Sequence, residues 1–71
     1  MENEIGNRLY ELRIQHGLSN MKAAVKVGTS PSMWNRWETG KCNISPQFII
    51  AICKGFGVSA DWLLGLENKK S

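Results

Sequence analysis

Apolar residues recur along this chain at helical spacing and nowhere alternate over four or more positions, as a half-buried strand requires. Ile5, Leu9 and Leu12 fall at i, i+4 and i+7 and draw an apolar stripe on a first helix expected over about residues 3–16. Glu4 precedes Arg8 by one turn, and Gly17 stands where a left-handed C-terminal cap is needed. A second helix over about 20–27 takes Ser19 as its N-cap and turns Ala23, Ala24 and Val27 inward. Gly28 then permits a tight turn. A third helix, over about 31–38, opens with Ser30 as N-cap and Pro31 at its first position, where a missing N–H loses nothing. The fourth repeats this opening with Ser45 and Pro46. Phe48, Ile49, Ile52 and Cys53 form its buried side, and Gly55 and Gly57 close it. Ser59 caps a short fifth helix holding Asp61, Trp62, Leu63 and Leu64, ended by Gly65. The pattern predicts one all-α domain over residues 1–66 and a disordered C-terminal tail over 67–71.

A chain of 71 residues holds one domain at most, with a thin core, because a domain this small buries only about 60% of its unfolded surface. No apolar run approaches the roughly 20 residues that span a bilayer. The start, MENEIGNRLYELR, carries acids and a helical stripe where a signal peptide has a basic segment and an apolar run. The expected compartment is the cytoplasm, with no membrane contact. Cys42 and Cys53 lack a partner cluster and His16 is the lone histidine, so neither metal nor cofactor is expected. Cys53 reads as a small core residue, Cys42 as a loop residue, and His16 as a partner of a helix C-terminal dipole. With no cysteine–histidine pair and no grouped carboxylates, a nucleophile and general base are missing, and an enzyme with a small-molecule substrate is not expected.

Charge alters this picture through its position. Lys22, Lys26, Arg36 and Lys41 face Glu38 alone within residues 19–41, so this segment carries the whole formal charge of +3. A localised positive field attracts a polyanion, with counterion release supplying much of the affinity. Charge alone does not separate that from a solvated surface.

The second and third helices, joined through a glycine turn, form a helix-turn-helix, in which the second member normally enters the major groove of DNA. On the third helix Pro31, Ser32, Asn35 and Arg36 share one side, and Met33, Trp34 and Trp37 share the other. Arg36 offers a paired donor for guanine, and Asn35 or Ser32 can donate to and accept from base edges or phosphates. Trp34 and Trp37 allow a stacking platform for single strands, but their i, i+3 spacing on the apolar side favours core packing. Met33 sits at the edge of that side, between the core and a thymine methyl.

The successive segments IGNRLYELRIQHGLS, AAVKVGTS, WNRWETGK and ISPQFIIAICKGFGVSADWLLG resemble, in order and spacing, the phage-repressor and Cro regulators of the XRE class. The resemblance spans nearly everything from Ile5 to Gly65. It implies a compact five-helix bundle with a central helix-turn-helix, as in lambda repressor. It also implies a sequence-specific transcriptional regulator, in the first instance a repressor, bound to double-stranded DNA as a homodimer on a near-palindromic operator. Such a protein is nucleoid-associated while bound. By the same resemblance Pro31, Ser32 and Arg36 take base-reading places, joined by Asn35. Asn20, Ser30, Thr39 and Lys41 take phosphate-contacting places, and Arg13 and Glu38 match a salt bridge between the first and third helices. Asn20 is shorter than the glutamine common there, and Pro31 has no hydrogen-bond donor. Ala23 stands for the usual leucine and Trp34 for the usual isoleucine or valine, a pair of changes expected to compensate in volume. A second reading keeps the scaffold but changes its partner, making the chain an antitoxin or anti-repressor that chiefly binds a protein.

Overall fold

A computed structural model describes residues 4–66, and the tail expected at 67–71 lies outside them. Among the described residues there are five helices and no strand: α1 (Glu4–Gln15), α2 (Asn20–Val27), α3 (Pro31–Thr39), α4 (Pro46–Phe56) and α5 (Ala60–Leu63). This is the all-α bundle expected. The apolar stripe of α1 is the buried one, with Leu9 and Leu12 sealed and Ile5 half-buried against them. Ala23, Ala24 and Val27 do the same on α2, and Ile52 and Phe56 on α4.

Three of the four serine caps act as written. Ser19, Ser30 and Ser59 accept from the backbone N–H three residues on, at 3.2, 3.1 and 3.1 Å. Ser45 has the extended backbone of an N-cap but makes no side-chain cap bond, so the opening of α4 rests on Pro46 and on backbone bonds alone. Gly55 departs from expectation as well. It lies inside α4, which runs on to Phe56 and is capped by Gly57 at φ 69°. A Cβ at Gly55 would make ordinary contact with Lys26 and Val27 at 3.8 Å, so α4 runs alongside α2 here.

The core is one cluster drawn from all five helices, with Trp34 at 0% exposure the largest side chain fully inside it. Helix α3 touches both α1 and α2, α2 also touches α4, and α5 closes onto α1 and α4. Trp34 meets Trp37 edge-on at 5.9 Å between ring centroids and Phe56 at 6.1 Å, and Trp37 meets Phe48 at 5.2 Å. Arg8 lies 5.0 Å over the Trp62 ring, a cation–π contact that ties α5 to α1. The third helix is therefore held on its whole apolar side. No helix among the described residues is long and apolar enough to cross a membrane.

Candidate nucleic-acid interface

The turn between α2 and α3 is a left-handed cap followed at once by a new helix. Gly28 adopts φ 83°, where a residue with a Cβ is strained, and the Thr29 N–H reaches back to the Ala24 carbonyl at 2.9 Å. Ser30 then caps α3 and Pro31 opens it. This short connection joins the two helices, and the burial of Trp34 and Trp37 fixes which side of α3 faces away from the core.

That side carries Pro31, Ser32, Asn35 and Arg36, all exposed, whereas Trp34 and Trp37 are buried. Burial of both indoles excludes the stacking platform. Met33 is half-buried against the core. Among the described residues Arg36 makes no ion pair, so its five donors stay available. The acid nearest this ridge is neutralised: the Arg13 Nε donates to Glu38 Oε2 at 2.7 Å and its second nitrogen to Oε1 at 3.3 Å. The side chains of the pair are only 16% and 9% exposed. The bond to Glu38 holds the Arg13 guanidinium above its ordinary pKa, and a third Arg13 donor reaches the Leu18 carbonyl at 3.2 Å. Glu38 therefore subtracts little from the positive field along α3.

The residues expected at the phosphates fare unequally. Ser30 is exposed and uses its hydroxyl oxygen to cap α3, which leaves its proton free to donate. Lys41 is exposed beyond the α3 cap. Thr39 is exposed, but its hydroxyl donates to the Asn35 carbonyl at 3.0 Å within its own helix, so that proton is engaged. Asn20 is half-buried, with its amide oxygen sealed and without a partner. Only its NH2 can serve a phosphate. Lys26 turns elsewhere: its ammonium lies 5.5 Å over Phe56, so one of the four cations of the basic segment is drawn toward the end of α4.

Sequence reasoning missed one polar contact, the hydrogen bond donated by the Trp34 indole to Glu38 Oε2. The i, i+4 spacing of these residues was the available signal. It was obscured because a tryptophan on an apolar stripe reads first as volume. Phe56 and Val58 are buried, Phe56 against His16 and Trp34, whereas Leu66 is exposed. His16 sits edge-on to Phe56 at 4.9 Å, with its Nδ1 2.9 Å from the Leu12 carbonyl. Cys42 and Cys53 are free thiols, both half-buried against the core. Among the described residues no three of His, Cys, Asp and Glu gather as metal ligands would.

A buried-tryptophan helix-turn-helix with a free polar ridge defines a class of protein, and comparison with known proteins agrees. The chain belongs to the helix-turn-helix domain family, whose model matches residues 4–64, and its resemblance to XRE-type regulators is borne out. It is similar to the restriction-modification controller protein C.AhdI from Aeromonas hydrophila, 30% identical, covering 84% of this chain and 91% of that one at a TM-score of 0.78. The P22 c2 repressor, solved in complex with a synthetic operator, shares the fold at a TM-score of 0.83 and 22% identity, over 89% of this chain and 96% of that one. The clp gene regulator ClgR from C. glutamicum does so at 0.76 and 23%, over 90% and 84%. The chain is also 35% identical to the antitoxin PezA of Streptococcus pneumoniae serotype 4 over 92% of its own length, and it spans 40% of the length of that relative.

Proposed function

We propose that this chain binds double-stranded DNA sequence-specifically through α3 in the major groove and acts as a transcriptional regulator, in the first instance a repressor. The observation that carries this is the division of α3. Ser32, Asn35 and Arg36 stand exposed together while Trp34 and Trp37 are buried and the charge of Glu38 is met by Arg13. Arg36 reads a guanine, Ser32 and Asn35 read a base edge or a phosphate, and Pro31 makes an apolar contact. Ser30, Lys41 and the NH2 of Asn20 hold the backbone, with Thr39 the weakest contributor. The protein is a binding module and not an enzyme, and it works in the cytoplasm at the nucleoid.

It binds as a homodimer on a near-palindromic operator, with half-sites about 34–36 Å apart. Selection from a random duplex pool tests this reading and should return a two-fold site. Affinity should fall steeply with salt, and Arg36→Ala should cost about 1–3 kcal/mol at one base position while leaving the salt slope nearly unchanged. Recovery of no preferred sequence would refute it. The likeness to an antitoxin favours a second reading, in which the same scaffold is an antitoxin or anti-repressor that chiefly binds a protein. Binding insensitive to salt and to Arg36 would favour that reading.

A further inference from the structure

Trp34 is the one fully buried aromatic residue that also carries a polar tie to the edge of the DNA-facing helix. Its indole N–H and the Arg13 Nε both donate to the same oxygen of Glu38. Its ring is held at the other end between Trp37 and Phe56. Arg13 passes the link on to the Leu18 carbonyl, in the turn between α1 and α2. The chain of contacts therefore runs from α4, through the inside of α3, to α1 and the start of the helix-turn-helix. Asn35 and Arg36 lie in sequence between the two pegs Trp34 and Trp37, so the roll of α3 about its axis sets where their side chains point.

We propose that Trp34 is a positioning residue for DNA reading: its indole holds the Glu38 carboxylate, on the same helix, in place for Arg13 of α1, and that tie between helices fixes the roll of α3 and with it the aim of Arg36 and Asn35. The inference rests on the DNA-binding reading above. A roll of about 10° moves a group roughly 5–6 Å from the helix axis by about 1 Å. Paired base contacts are directional, with donor–acceptor distances confined to a few tenths of an ångström. A change in roll therefore lowers base discrimination, whereas phosphate attraction, which is long-ranged and undirected, survives it.

The test compares Trp34→Phe, Glu38→Ala, Glu38→Gln and the Trp34→Phe/Glu38→Ala double variant of the full chain. Affinities for the selected duplex and for a mismatched one are measured across a salt series. Amide residual dipolar couplings of residues 31–39 in the free protein report the orientation of α3. Trp34→Phe should lower discrimination about tenfold, within the range of one paired base contact, leave the salt slope unchanged and shift the couplings. In the Glu38→Ala background it should lower discrimination no further. Losses that add in the double variant, or couplings identical to those of the parent, would overturn the proposal. If Trp34→Phe does not fold, Glu38→Gln, which keeps an acceptor for the indole, should retain more discrimination than Glu38→Ala. Equal losses would again overturn it. A parent chain that shows no sequence preference refutes the functional reading and with it the role in DNA reading, whereas the couplings separately decide whether Trp34 sets the roll of α3.

Discussion

Replacing Trp34 by Ile tests whether this core was built around an exchange of volume between α2 and α3. Trp34 and Ala23 are both at 0% exposure in the same cluster, on helices in direct contact. Isoleucine leaves a cavity, for which about 2 kcal/mol is expected, since truncating Trp or Phe to Ala costs about 3–5 kcal/mol. It also removes the indole N–H from Glu38, for which about 1 kcal/mol is expected. The total of about 3 kcal/mol corresponds to a fall in Tm of about 12–24 °C for a domain of this size. Ala23→Leu alone overpacks the same region, by about 1–3 kcal/mol. In the double variant the leucine fills the cavity, so the combined loss should be about 1–2 kcal/mol, well below the sum of the single losses. The residue of that loss is the indole hydrogen bond, which leucine cannot replace. Urea unfolding at low temperature, followed by far-UV circular dichroism, measures all four corners of the cycle. Losses that add to within about 0.5 kcal/mol would refute the exchange of volume, because uncoupled sites behave in that way.

Other predictions follow from local features. Ser30→Ala should destabilise by about 1 kcal/mol and Ser45→Ala by only a few tenths, because Ser30 caps a backbone N–H and Ser45 caps none; equal losses in thermal unfolding would contradict this. Gly28→Ala should cost about 1–2 kcal/mol through its left-handed backbone alone, since a Cβ there meets nothing within 4 Å. A larger loss in the same assay would show a clash. Burial pushes the Cys53 thiol above its ordinary pKa, so the folded state holds this proton more tightly than the unfolded one. The stability that results is complete below the unfolded pKa and is lost as pH rises through the folded one. Cys53→Ala should therefore flatten the decline of the denaturation midpoint between about pH 8 and 10, and an unchanged decline would refute this.

How much of the molecule was legible in the sequence followed the range of the forces involved. The stripes of α1 to α4, the serine and proline starts and the glycine ends depend on residues within one or two turns, and reading them in order gave the helices to within a residue or two. The division of α3 was legible for the same reason, since helical periodicity separates Trp34 and Trp37 from Ser32, Asn35 and Arg36 before any partner is known. Gly55 was misread as a stop because glycine favours helix ends, whereas α4 runs through it to Phe56 and is capped by Gly57. The turning of Lys26 toward Phe56, the burial of Phe56 and Val58, and the sealed amide oxygen of Asn20 depend on segments distant in the chain meeting in space. The Trp34–Glu38–Arg13 network lies between these limits. Its i, i+4 step was written in the sequence, but only packing α3 against α1 brought both donors to one carboxylate oxygen. Local order came from the pattern of residues, and the aim of the outward-facing side chains came from the core beneath them.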